Sequence, residues 1–154
     1  MKKIIFLSVL FFTLLACNKN ANLQWSEKAP NYMNWYDAVE YCQNLNEGGH
    51  NDWKLPTISE LRSLIQNCPA TQTGGKCKVA DNCLSDKECD SDACNGCGYY
   101  SGDKYSKLGD DTSFWSSSVP EYPSYAWRVY FYDASVSERN AGSNDGVRCV
   151  RDQK

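Results

Sequence analysis

Hydrophobic and polar positions change their period several times along this 154-residue chain, and each change marks an element. Ile4 to Ala16 is an apolar run interrupted only by Ser8 and Thr13. Leu23-Gln24-Trp25 then has the character of a short strand. Trp35, Ala38, Val39, Cys42 and Leu45 recur at helical spacing and predict an amphipathic helix. Asn34 serves as its N-cap, with Asp37 three positions on and Gly48-Gly49 at its end. A second helix starts at Thr57, where Glu60 completes a Thr-x-x-Glu box and Ile58, Leu61, Leu64 and Ile65 form the stripe. Periodicity then disappears over 68–111, a stretch rich in Cys, Gly, Asp, Asn and Ser that reads as a long disulfide-stapled loop.

Beyond it the pattern becomes β. Phe114-Trp115-Ser116-Ser117-Ser118 is a short strand ending near Pro120. From Ala126 to Tyr132, Trp127, Val129 and Phe131 alternate with Arg128, Tyr130 and Tyr132. Asp133-Ala134-Ser135 turns into a return strand through Val136, and Val147 to Arg151 is the last strand. A strand, two helices, a long loop and a small antiparallel sheet make an α+β domain.

The apolar run changes the picture of where the domain works. At thirteen residues behind Lys2-Lys3 it is too short for the ~20 of a spanning helix, and it fits a secretory leader. Leu14-Leu15-Ala16-Cys17 resembles a bacterial lipobox, which implies cleavage after residue 16 and lipidation, including palmitate, at Cys17. The expected organisation is a leader over 1–16, a lipidated tether over 17–22 and a domain over 23–152 containing the insert 68–111. Two or more acyl chains at ~0.8 kcal/mol per buried methylene give durable attachment to the cell envelope, with the outer membrane or cell surface as the expected location. Lys2 and Lys3 leave with the leader, so fourteen basic residues face nineteen acidic ones, a balance of −5. An acidic chain without a basic run argues against a nucleic-acid partner.

Cys42, Cys68, Cys77, Cys83, Cys89, Cys94, Cys97 and Cys149 form an even set in an exported chain and read as disulfides. Of the 105 pairings, the simplest partition joins Cys42 to Cys149 and leaves three local bridges, of open connectivity, among the clustered six. Closing a loop of ~107 residues stabilises by roughly 4–5 kcal/mol on the chain-entropy model. Cys94-Asn95-Gly96-Cys97 also has zinc-ligand spacing, but an oxidising compartment favours bridges.

Periodicity puts Trp35, Trp53, Trp115 and Trp127 in the core, and Arg148 and Arg151 beside it as partners for carboxylates. In the insert, Asp81, Asp86, Asp90 and Asp92, with Asn82 and Glu88, offer closely spaced oxygen ligands and make calcium the candidate cofactor. Tyr130, Tyr132, Ser135, Ser137, Arg139, Asn140, Ser143, Asn144 and Asp145 mix aromatic platforms with short polar side chains, a composition suited to adaptable contacts. They are the candidate ligand face. The only histidine, His50, lies in a Gly-Gly-His-Asn-Asp turn without any Gly-x-Ser-x-Gly elbow, and the even cysteine count leaves no free thiol. The domain is therefore expected to be non-catalytic.

Met33-Asn34-Trp35, Asp37-Ala38, Tyr41-Cys42, Asp52 to Thr57, Glu60-Leu61, Phe114 to Ser118, Ala126 to Val129 and Val147 to Arg151 together resemble the Lcl C-terminal domain family of bacterial secreted and surface proteins. The resemblance implies a variant of the C-type lectin fold, in which a first-helix cysteine bridges to the last strand, in agreement with Cys42–Cys149. The family's founding member is a collagen-like adhesin that binds sulfated glycans. This chain has no collagen repeat, an acidic balance and a cysteine-rich insert, so adhesion or recognition in the broad sense is what carries over. The Tyr/Ser/Asn surface is similar to the ligand face of retroelement-diversified C-type-lectin-like proteins, some of them lipoproteins. A related fold includes formylglycine-generating enzymes, which use a reactive cysteine pair. The expected function is a surface-anchored recognition or adhesion domain for a glycan or surface protein; the alternative is a structural envelope lipoprotein packed against a partner complex.

Overall fold

A computed structural model describes residues 22–99 and 104–153. The expected leader, the lipidation site Cys17 and the tether up to residue 21 lie outside the described residues. Chain order is β1 (Leu23–Trp25), α1 (Trp35–Asn44), α2 (Ile58–Arg62), α3 (Asp86–Cys89), a 3-10 turn (Asp92–Cys94), β2 (Ser113–Trp115), β3 (Tyr125–Tyr130), β4 (Ser135–Asn140) and β5 (Val150–Asp152). It is a mixed helix-and-sheet domain, with two small antiparallel sheets where one was expected. β2, β3 and β4 form one, and β1 pairs with β5 in the other.

Local signals set the helices. Asn34 caps α1 by accepting from the Asp37 amide at 3.0 Å. Thr57 and Glu60 form the reciprocal box at the start of α2. α1 ends at Asn44, earlier than Gly48-Gly49 suggests. Those glycines instead occupy a two-residue turn at φ 62° and 78°, while Glu47 and His50 exchange both backbone hydrogen bonds around them. A type I′ turn needs positive φ at both central positions, hence the glycine pair.

The three-stranded sheet separates two cores. Across it, Phe114, Val129 and Val136 share one face, packed with Trp127, Phe131, Ile58 and Leu61 of α2, Leu64, Ile65 and the insert. Leu64 and Ile65 lie just past the end of α2, which is shorter than its stripe predicts. On the other face, Trp115 and Ala126 pack with Ala38 and Cys42 of α1, Trp53, Leu55, Val147 and Cys149. Cys42–Cys149 runs through this second core with Cα atoms 5.4 Å apart. Each core tryptophan gives its indole N–H to a carbonyl: Trp35 to Ser116, Trp53 to His50, Trp115 to Met33 and Trp127 to Leu84. Such bonds let a large amphipathic ring be buried without an orphaned donor. The Trp-Ser-Ser-Ser stretch is structural as well. Ser116 Oγ donates to Trp127 O, Ser117 Oγ to Pro56 O, and Ser118 Oγ accepts from Ile58 N.

The last strand is shifted from expectation. Only Val150–Asp152 pairs with β1, whereas the carbonyls of Val147 and Cys149 accept from Ala29 and Ser26. Arg148 and Arg151 meet the carboxylates their positions called for: Arg148 grips Asp110 at 2.8 and 2.9 Å, and Arg151 grips Asp52 at 2.6 and 3.2 Å.

Three bridges staple the insert, Cys68–Cys97, Cys77–Cys94 and Cys83–Cys89. Its other organiser is Arg62, whose buried guanidinium donates to the carbonyls of Thr71, Gln72, Cys77 and Val79. Burial lowers its pKa from the usual arginine value. One α2 side chain thus satisfies four backbone acceptors of a segment with little secondary structure of its own.

Candidate functional site

Strand register decides which polar residues share a face. Arg128 stands opposite Ser137, Tyr130 opposite Ser135, and Ala126 opposite Arg139. Directly opposed residues point to the same side of a sheet. Arg128, Tyr130, Ser135, Ser137 and Arg139 therefore lie on one face, beside the second core. Near Ala126 and Trp115 that face is covered by α1; towards Tyr130 it opens.

At the open end the side chains form an aromatic row. The Tyr130 and Tyr132 rings stack with centroids 5.9 Å apart and planes at 25°. Tyr99, from the insert, lies 5.3 Å from Tyr132 on the far side and is 74% exposed. Arg128 closes the other end, its Cζ 5.9 Å from the Tyr130 centroid, within cation–π range. Tyr99 is brought here by the disulfide at Cys97 and by the Cys97 amide, which donates to Asp133 O at 2.8 Å.

Asp145 holds the base of this row. It is buried, and its carboxylate accepts from Ser113 Oγ, from Arg128 Nη1 at 3.3 Å to one oxygen, and from Arg139 Nη1 at 3.2 Å to the other. Asp145 thus holds two arginines and a serine in place from a buried position. Ser137 Oγ accepts from Arg128 Nε at 3.3 Å. The Ser135 amide donates to Asp133 Oδ1 and shapes the β3–β4 turn.

Asn140, Ser143 and Asn144 do not join the row. Asn140 ends β4, and Ser143 and Asn144 follow in the turn, where Asn140 Oδ1 accepts from Gly142 N and the Ser143 amide donates to Asn140 O. The structure thus divides the nine expected ligand residues into a face and a turn. It adds Arg128 and Tyr99. Alternation of the strand contained the signal for Arg128, since it shares a parity with Tyr130. Nothing local pointed to Tyr99.

The expected calcium set does not assemble. Asp81 is drawn to the start of α2, where its carboxylate accepts from Thr57 Oγ1 at 2.8 Å and Ser59 N at 3.1 Å. Asp86, Asp90 and Asp92 line a shallow hollow with Ser91 and Asn95, but Asp86 and Asp90 each take the next residue's backbone N–H. Among the described residues no three His, Cys, Asp or Glu side chains are placed to hold a metal ion. The zinc reading of Cys94 and Cys97 also falls, because each sulfur belongs to a different disulfide.

Residues 16–151 match the family model of the Lcl C-terminal domain. No curated protein matches the chain.

Proposed function

Since the chain belongs to the Lcl C-terminal domain family, a family of bacterial surface-protein domains, we propose that it is a lipid-anchored, non-catalytic recognition module that binds a glycan or a protein on a facing surface. The observation that carries this reading is the row Tyr99–Tyr132–Tyr130–Arg128, in which Tyr130 and Tyr132 stack, Tyr99 tilts against Tyr132, and the whole is partly open to solvent. Tyrosine offers broad apolar area and a hydroxyl at low entropic cost, which is why it dominates recognition surfaces. Asp145 offsets one of the two arginine charges beside the row, so a single net positive charge remains there and the face is not a polyanion-binding patch. Anchoring rests on the Leu14-Leu15-Ala16-Cys17 motif and would hold the domain at the cell envelope.

The non-catalytic part of the reading is supported by the cysteines. All eight among the described residues are in disulfides, leaving no thiol for chemistry of the formylglycine-generating kind.

The test is a glycan and surface-protein array probed with the purified protein and with a Tyr99→Ala/Tyr130→Ala/Tyr132→Ala variant. A specific ligand whose affinity falls at least ~10-fold in the variant, about 1.4 kcal/mol, supports the reading. An array without a specific ligand, or equal binding by a folded variant, rejects it.

A further inference from the structure

The β1–β5 side of the molecule carries a cleft of about 710 Å³, lined by Asn22, His50, Asn51, Asp52, Arg151 and Gln153, with Gly49 at its lip. That volume falls within the ~300–1,000 Å³ of small-molecule sites. None of the tyrosines described above contributes to it.

Its walls are fixed by backbone. The Gln153 amide bonds Asn22 O at 2.8 Å and keeps the two chain ends side by side. Opposite them, the glycine turn presents His50 and Asn51. A Cβ added at Gly49 would meet nothing within 4 Å, so the lip stands clear of neighbouring atoms. The floor is the Arg151–Asp52 pair, which cannot swing: Nε and Nη2 hold the carboxylate, Nη1 holds Gln24 Oε1 at 2.8 Å, and the Trp53 ring lies 5.9 Å from Cζ.

This wiring selects the chemistry of a ligand. The single arginine is committed to Asp52 and Gln24, so it offers little charge to a phosphate or sulfate. What the cleft does offer is three primary amides, those of Asn22, Asn51 and Gln153, and the His50 imidazole. Donors and acceptors are therefore mixed on planar side chains. Hydroxyl groups, each both donor and acceptor, are the partners such a set satisfies best. We infer that the cleft is a second binding site, specific for a short uncharged saccharide held by its hydroxyls. It is independent of the tyrosine face.

The experiment is NMR titration of the isotopically labelled protein with lactose, maltose, cellobiose and diacetylchitobiose. Inorganic phosphate and a heparin disaccharide are the charged comparisons. The expected result is saturable movement of the Asn22, Asn51 and Gln153 side-chain amides and the His50 ring with at least one neutral disaccharide, at ~millimolar affinity. His50→Ala/Asn51→Ala, which replaces side chains that make no hydrogen bond among the described residues, should weaken that affinity at least ~10-fold, about 1.4 kcal/mol. Tyr130→Ala/Tyr132→Ala should leave it unchanged. The inference is overturned if no neutral disaccharide moves these signals saturably, if a charged probe binds there more tightly, or if the His50/Asn51 variant binds as well as the parent. Movement confined to Tyr130 and Tyr132 would reject the cleft while supporting the tyrosine face.

Discussion

Cys42 on α1 and Cys149 just before β5 are 107 residues apart in sequence, yet their Cα atoms lie 5.4 Å apart in the second core. The bridge ties the first helix to the end of the chain across a region that also holds Trp53 and Trp115. Without it, the denatured chain regains the freedom of its longest covalent loop. Cys42→Ser/Cys149→Ser should therefore lose about 4–5 kcal/mol of unfolding free energy, plus the cost of two buried hydroxyls. Guanidinium denaturation with the three insert bridges intact reads this out. A loss below ~1 kcal/mol would mean the second core holds the helix and terminal strand together without the bridge.

Arg62 sets a second prediction, confined to the insert. Its guanidinium supplies donors to Thr71, Gln72, Cys77 and Val79, all on one segment. Arg62→Met keeps the length of the stem and strands those carbonyls. Hydrogen bonds to charged groups contribute about 1.5–3 kcal/mol each but not additively, so a loss of about 3 kcal/mol or more is expected. Hydrogen exchange should accelerate first over residues 68–80, while α1 and β3 stay protected. Uniform acceleration across the domain would contradict a local role.

A pH dependence follows from Glu138. It faces the first core from β4, opposite Trp127, and its Oε2 is buried without a hydrogen-bond partner among the described residues. Burial first, then the carboxylates of Asp86 and Asp90, raises its pKa above the ordinary 4.5. Asp90 is also raised from 3.8, chiefly by burial; the Ser91 amide opposes this and Asp86 adds to it. A carboxyl with a raised folded pKa binds more protons folded than unfolded, so stability falls as pH rises between the two values. Both groups thus weaken the neutral-pH protein, and the penalty is absent below about pH 4. Glu138→Gln should raise the melting temperature at about pH 7 and leave it nearly unchanged at about pH 3. The same shift at both pH values would sink the assignment.

What could be read from the chain was what depends on neighbours in sequence. The Thr57–Glu60 box, the Asn34 cap and the alternation through Trp127 and Val129 are each local, and each formed where expected. Cys42–Cys149 and the carboxylate partners of Arg148 and Arg151 were legible too, because few arrangements satisfy a lone distant cysteine or a half-buried arginine. Other features depend on contacts between distant segments. Asp145 has the polarity of a surface residue and lies in a polar turn; the approach of Ser113, Arg128 and Arg139 from other segments explains its burial. Arg62 reads as one more charge on an amphipathic helix until the insert folds over it. Asp81 looked like a metal ligand because its carboxylate's taker, the start of α2, lies more than twenty residues earlier.

The last prediction tests how the insert reaches the tyrosine face. Gly96 has φ 83°, and a Cβ there would collide with Asp133 O and come within 2.9 Å of Ser135 N. This contact seats the insert on the β3–β4 turn, one residue before the Cys97–Asp133 hydrogen bond and three before Tyr99. Gly96→Ala adds a left-handed backbone penalty to a steric clash, together costing about 2–4 kcal/mol. It should also move Tyr99 off Tyr132 and weaken ligand binding. Tyr99→Ala is the matched comparison. Its side chain is largely exposed, so it should weaken binding while changing stability by no more than ~0.5 kcal/mol. If Gly96→Ala loses stability but keeps full affinity for a ligand that Tyr99→Ala no longer holds, the seating of the insert on the turn does not govern the face.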